Sequence, residues 1–399
     1  MSDNTRANIR GPIAVALVFW FVIAFFTKPW VSRGGGPASR LATAQCLVEF
    51  GTCAIDCSRY VWTVDKAVFG GQYYSDKPVM LSLWLAGIYA VLYHVFGYTL
   101  ATHETICVVW ITRLTTGLAS AVLAGLFWKV LSMELANKRW RFFAIAALFC
   151  SPIVFSATVI NPHNVAAFTL FAAYVLLRHQ AGKGRAAHFG AGVLIGTSLW
   201  LDPAVTALIS AAAAGIYFVV ERNMLGILRT VWPIVMGATV IIAAGLILNR
   251  LLIGQWLPFY LTPSAYDYPG SFHHGTGPAA TARPSQPFLY AFHCLLGYRG
   301  YFLYTPTLVF GLFFPFSPVL RKERFALALW MGCVASAIYF CFFTADMGGW
   351  WYGFRFLFAT ISLRVLSLFI TCWAFSLSFQ ISWPETRISR SSSSFFFPS

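Results

Sequence analysis

The chain alternates long apolar runs with short polar connections, and the first run sets the scale. Residues 1–10 are polar and carry Arg6 and Arg10, whereas Gly11 to Phe26 is apolar and is followed by Lys28. A helix crosses a bilayer with about 20 apolar residues. No small-residue cleavage site follows the run, so it reads as an uncleaved first span with a cytoplasmic N-terminus rather than a signal peptide. Further runs at 105–130, 141–160, 163–178, 189–201, 203–220, 231–249, 303–320, 325–343 and 356–379 read as spans, about ten with the first. The shorter ones suit a bilayer when tilted or shifted. The expected fold class is all-α: a polytopic integral membrane protein whose large first outer loop carries amphipathic or re-entrant helices.

Basic residues orient the spans. They cluster at Lys138–Arg141, at Arg178, Lys183 and Arg185, at Arg222 and Arg229, and at Arg321–Arg324. All four clusters fall on the cytoplasmic side only if the apolar stretch Met80–Leu100 does not cross. That stretch is therefore expected as a re-entrant or surface helix. The outer face then holds the loop 28–104, the turns at Asn161–His163 and Asp202–Pro203, a second long loop at 250–302, and residues 344–355. Residues 1–383 form one transmembrane domain, and 384–399, ending RISRSSSSFFFPS, reads as a disordered tail.

Composition agrees with this picture. Apolar residues make up 58% of the chain, aromatics 18% and charged residues only 10%, outside the range of a soluble domain. The formal charge of +15 sits in small clusters between apolar runs, which fits helix orientation and not nucleic-acid binding. Cys107, Cys150, Cys333, Cys341 and Cys372 lie in apolar runs and read as small core residues. Cys46, Cys53 and Cys57 cluster in the outer loop, where a disulfide depends on an oxidising face. No Cys/His spacing of the metal-binding kind occurs. No cofactor is expected, and a divalent metal is not indicated.

Charge is concentrated between Ser39 and Trp84. Ser39 suits a helix cap and Gly51 a helix end. Leu41, Ala44, Leu47 and Val48 would share one face, the pattern of a helix lying along a membrane surface. Asp56, Asp65 and Asp76 follow, with Lys66 and Lys77 beside the last two. In the sequence YYSDKP, Pro78 fits the first turn of a new helix. Asp76 and Lys77 would then stand before a helix start, where an anion can be held.

These residues resemble a known family. An aromatic pair, an acid, a lysine and a proline, with the Ser39-Arg40-Leu41 opening and the Gly51-x-x-Ala-Ile-Asp56 step, are similar to the first outer loop of the GT-C membrane glycosyltransferases. That superfamily uses polyprenyl-phosphate sugars and includes protein mannosyltransferases and lipid A aminoarabinose transferases. Tyr298-Arg299-Gly300-Tyr301 and the GGWWYGFR run ending at Arg355 also resemble one bacterial branch. Two departures stand out. Val79-Met80 follows Pro78 where the family has a second proline or Pro-Gly, and residues 32–36 read SRGGG where an acidic pair is common.

The resemblance implies a glycosyltransferase that moves a sugar from a polyprenyl-phosphate donor to a lipid, glycan or protein acceptor, with inversion, at the outer face of the cell (inner or plasma) membrane. Such transfer needs a base for the acceptor hydroxyl and cations for the leaving phosphate. Asp76 is the first candidate base and Asp65 the second. Lys77, Arg299 and Arg355 are the candidate phosphate ligands, with Arg40 a weaker one. Tyr74, His163 and Trp351 are candidate contacts to substrate. Each also has a plainer reading. Outer aspartates are often solvated loop charges, Asp56 shapes a turn, His163 can be structural, and Arg299, Arg355 and Trp351 can anchor helices at the interface. Arg113 inside a span calls for a partner or a ligand. The alternative function is a transporter or flippase of lipid-linked sugars, which would place charges near the midplane on broken helices.

Overall fold

The computed structural model describes residues 9–344 except 30, 32–34, 180–183, 221–223, 272, 275–283, 299, 307, 310–311 and 313–323. Arg299, Trp351, Arg355 and the expected span 356–379 lie outside the described residues.

Helix α1 (Arg10–Phe26) packs against α5 (Leu118–Glu134), and α5 packs against α8 (Pro162–His179). Their shared core includes Phe19, Ile23, Phe127 and Phe171. Helix α9 (Arg185–Leu201) joins α8 on one side and α11 (Met224–Ile253) on the other, while α10 (Pro203–Val220) pairs with α13 (Arg324–Phe342). Glycines let α9 and α11 come close: a side chain at Gly192 would collide with the Ile234 backbone, and one at Gly237 with the Phe189 carbonyl.

A second core lies beyond this bundle. It joins α2 (Gly36–Phe50), α3 (Val79–Phe96) and α4 (Glu104–Thr112) through Leu41, Leu85, Tyr89, Val108 and Ile111. α4 runs into α5 through a π-helical turn at Arg113–Gly117. At that turn Arg113 donates from Nε and Nη2 to Ala24 O, at 3.1 and 2.6 Å, so it caps the end of α1. Trp20 Nε1 returns a hydrogen bond to Arg113 O at 3.0 Å. Arg113 thus finds its partner in a helix end, and the nine residues of α4 extend about 14 Å past that level. The layer of α2, α3 and α4 stands on this extension.

Among the described residues, Val79–Phe96, Glu104–Glu134 and Gly226–Ile253 are long and apolar enough to cross a membrane. α3 belongs to that set by composition, yet its neighbours are α2, α4, α9 and α11. The expected span 141–160 is two pieces, α6 (Lys138–Phe149) and α7 (Pro152–Ala157). Ser151 accepts from Ile153 N at 3.4 Å and Pro152 cannot continue α6, so the break is local chemistry. The described part of the expected span 303–320 is turn rather than α-helix at its start. A short helix, α12 (Pro287–Leu295), precedes it and packs on α13.

The all-α expectation needs one correction. β1 (Lys66–Phe69) and β2 (Gln72–Ser75) form an antiparallel hairpin. Gly70 and Gly71, with φ of 59° and 79°, make the two-residue turn that such a hairpin requires.

Candidate active site

The hairpin register creates the site. Lys66 pairs with Ser75, so the next residues outward, Asp65 and Asp76, face each other across the open end of the hairpin. A separation of eleven in sequence thus becomes a juxtaposition in space. Lys77 fills the gap: its Nζ lies 3.1 Å from Asp76 Oδ2 and 3.2 Å from Asp65 Oδ2. Asp76 is sealed, with 1% of its side chain exposed, whereas Asp65 and Lys77 remain accessible at 17% and 26%.

α2 holds the hairpin from below. It starts at Gly36, three residues before the expected cap, with Pro37 in its first turn. Ser39 is therefore not a cap. Its hydroxyl donates to Asp65 O at 2.6 Å and shares a 2.5 Å hydrogen bond with Ser75 Oγ, tying α2 to both strand ends. Ser75 Oγ also accepts from Lys77 N at 3.2 Å. The helix ends as expected at Gly51, φ 71°, whose N–H reaches Leu47 O at 3.2 Å. It is not the one-sided surface helix expected from its sequence. Ala38 to Cys46 are all buried, polar residues included. Gln45 shows why: its Oε1 accepts from Ser58 Oγ at 2.9 Å and Arg59 N at 3.2 Å. At Gln45 the polar face is satisfied by the loop that follows α2.

The segment that follows α11 closes the site from above. Tyr266, fully buried, points its hydroxyl at Asp76 Oδ2, a long 3.5 Å. Tyr268 donates to Lys66 O at 3.1 Å and its ring meets Tyr73 at 5.5 Å. Beside Lys77 a small cleft is lined by Thr43, Cys53, Tyr74, Ser75 and Val79 among others.

Electrostatics follow from this enclosure. Burial pushes the Asp76 carboxyl above the usual carboxylate range; Lys77 pulls against it and Asp65 adds to it. A neighbouring lysine alone would lower a carboxylate pKa, but here desolvation wins. For Lys77, burial alone would drive the ammonium down, yet Asp76 and Asp65 hold it above its ordinary value. Asp76 Oδ1 is buried and has no hydrogen-bond partner among the described residues.

The remaining candidates separate. Arg40 is 4% exposed and lies near enough to act on both Asp76 and Lys77. Tyr74 lines the cleft and tilts against Phe259 at 5.8 Å. Asp56 accepts from Tyr73 N at 2.9 Å and so holds the hairpin, the turn-shaping role expected of it. His163 is engaged elsewhere: its Nδ1 lies 2.6 Å from Asp202 Oδ2, linking the starts of α8 and α10. Sequence reading missed Tyr266, which is 190 positions from Asp76, and it paired His163 with nothing. Cys46 and Cys57 form a disulfide that clips the end of α2 to the loop leading to the hairpin, while Cys53 stays a buried thiol. Among the described residues no group of three or more His, Cys, Asp or Glu gathers as a metal site.

The described residues form a helical bundle that carries a layer of α2, α3 and α4 and a hairpin, with an ion-pair cluster between them, and this arrangement has counterparts of the same fold among solved structures. The chain is similar to ArnT from Cupriavidus metallidurans. Against that protein bound to undecaprenyl phosphate the TM-score is 0.58 at 16% identity, covering 91% of this chain and 59% of that one. Against its apo state the TM-score is 0.51 at 17% identity, covering 89% and 58%. The chain thus spans less than two thirds of the length of ArnT, and at these identities the likeness is one of fold. No family model matches the chain, and no curated protein matches it.

Proposed function

We propose that the protein transfers a sugar from a polyprenyl-phosphate donor to a hydroxyl of a lipid, glycan or protein acceptor at the outer face of the cell membrane. The observation that carries this reading is the Asp65–Lys77–Asp76 cluster, gathered by the hairpin in the layer above an ArnT-like bundle. Lys77 has three N–H donors and uses two on carboxylates, which leaves one for a donor phosphate oxygen. Arg40 adds a second cation from α2, and Arg299 and Arg355 complete the set of phosphate ligands.

The acceptor oxygen attacks the anomeric carbon as the bond to the phosphate oxygen breaks. The bonding pair leaves with the polyprenyl phosphate, whose new charge Lys77 and Arg40 stabilise. The hydroxyl proton passes to a carboxylate. A single displacement of this kind inverts the anomeric centre. Asp76 is the favoured base: its Oδ1 has a free acceptor position, and a carboxylate with a raised pKa is a stronger base at neutral pH. Asp65, more exposed, is the alternative. Tyr74 beside the cleft and Trp351 offer rings for the sugar. The hydrogen bond of His163 to Asp202 supports a structural role for that residue.

A transporter reading would need charges near the bilayer midplane on interrupted helices. The cluster stands instead on a hairpin braced by α2 and the second outer loop, which favours the enzyme. The test is consumption of a polyprenyl-phosphate sugar by the purified protein in detergent, with acceptor glycans, lipids and peptides supplied in turn. Release of polyprenyl phosphate supports the reading. Movement of intact donor across vesicles without its consumption would replace it with the transporter.

A further inference from the structure

Gly36 is the first residue of α2, and its bare α-carbon faces three charged side chains. A Cβ there would lie 2.5 Å from Arg40 Nη1, 3.6 Å from Lys77 Cε and 3.7 Å from Asp65 Oδ2. Arg40, one helical turn later, folds back so that Nη1 donates to Gly36 O at 3.2 Å. The guanidinium therefore rests where a side chain at 36 would begin.

Nothing in the backbone demands glycine here. Gly36 is not among the residues with positive φ, and it lies within a helix, where alanine is the better residue by intrinsic preference. The space is what the glycine supplies. Arg40 is buried and its charge acts on both Asp76 and Lys77, so where its head sits decides whether two cations face one anion together. A guanidinium binds phosphate through a planar fork, and its orientation counts as much as its charge.

We propose that Gly36 is a positioning residue for the donor phosphate: its missing side chain seats the Arg40 guanidinium beside Lys77 and Asp65. This rests on the reading of the cluster as a phosphate site. A methyl group at 36 meets only the far end of a flexible side chain within 3 Å, so the fold accommodates it and the guanidinium moves. The departure of residues 32–36 from an acidic sequence then has a local meaning. Asp65, arriving from the hairpin, supplies a carboxylate next to this end of α2.

The experiment uses the full-length protein in detergent and undecaprenyl phosphate as the probe. Binding is measured for the wild type, Gly36→Ala, Arg40→Ala, the double variant and Lys77→Met, together with their melting temperatures. Gly36→Ala should melt at or above the wild type yet bind about tenfold more weakly, the scale of one lost charge-assisted contact. In the Arg40→Ala background the same change should cost nothing further, because its route of action is gone. Wild-type affinity in Gly36→Ala, an equal loss in both backgrounds, or a lowered melting temperature would each overturn the proposal. If Lys77→Met and Arg40→Ala both bind like the wild type, the phosphate-site reading fails and takes this inference with it. If they weaken binding and Gly36→Ala does not, only the role of Gly36 falls.

Discussion

Arg113 caps α1 by donating to Ala24 O from both Nε and Nη2, at 3.1 and 2.6 Å. The last carbonyls of a helix lack intrahelical partners, and in a membrane protein water is not at hand to serve them. The same contact ties the end of α1 to the turn from which α4 extends into the layer of α2 and α3. Replacing Arg113 with Leu should lower stability by about 1–3 kcal/mol, the cost of a buried acceptor left unmade. Arg113→Lys should recover part of it through one donor. Thermal unfolding in detergent checks both, and equal melting of wild type and Arg113→Leu would remove the cap from the account.

The Cys46–Cys57 disulfide closes a separation of 11 residues with a Cα–Cα distance of 6.2 Å. Loop closure on this scale contributes about 3 kcal/mol through the unfolded chain. Burial pushes the third thiol, Cys53, up to about 11, which keeps it unreactive. Denatured protein made in its membrane should expose two more thiols after reduction than before it, counted by maleimide mass. The Cys46→Ser, Cys57→Ser double variant should melt lower than wild type. An unchanged thiol count on reduction would show the pair open.

The sequence made some of this arrangement legible and hid the rest for physical reasons. YYSDKP marked Asp76 and Lys77 through local chemistry, and Gly51 marked the end of α2. The hairpin was signalled by Gly70-Gly71 between KAVF and QYYS, but a reading tuned to long apolar runs passed over strands of four residues. Once the hairpin is seen, the facing of Asp65 and Asp76 is arithmetic. The sign of the Asp76 shift was not legible, because burial by Tyr266 comes from a loop far along the chain. Nor was the seat of Arg40, or the pairing of His163 with Asp202, since both depend on how elements pack. The buried polar face of α2 misled for a related reason: a mixed helix surface looks the same whether water or a loop satisfies it.

Lys77 is the only cation bonded to both aspartates among the described residues. Lys77→Met keeps much of the stem and removes the charge. It should weaken binding of polyprenyl phosphate by about ten- to a hundredfold, the range for a charge-assisted contact. It also leaves Asp76 buried beside Asp65 with no cation between them, so the variant should be less stable as well. Lys77→Arg separates the two effects: it restores charge and stability while misplacing the donors. Affinity unchanged in a well-folded Lys77→Met variant would exclude Lys77 from the phosphate site.

The choice of base turns on Asp76 and Asp65. Asp76→Asn keeps size and loses charge, and should reduce turnover by roughly two orders of magnitude or more while donor binding survives. The pH profile discriminates further. A base works when ionised, so turnover falls as pH drops through its pKa. Burial first, and Asp65 in addition, raise Asp76 above its ordinary value of 3.8, so the acid limb of the rate profile should lie above that value. Lys77 is held above its ordinary 10.5, so it should contribute no alkaline limb below that pH. Asp65→Asn removes one of the charges that raise Asp76. If Asp76 is the base, this variant should stay active and its acid limb should move to lower pH. If Asp65 is the base, Asp65→Asn should lose turnover outright and Asp76→Asn should remain near wild type at saturating donor. Full activity in both variants would mean that the chemistry takes place outside this loop.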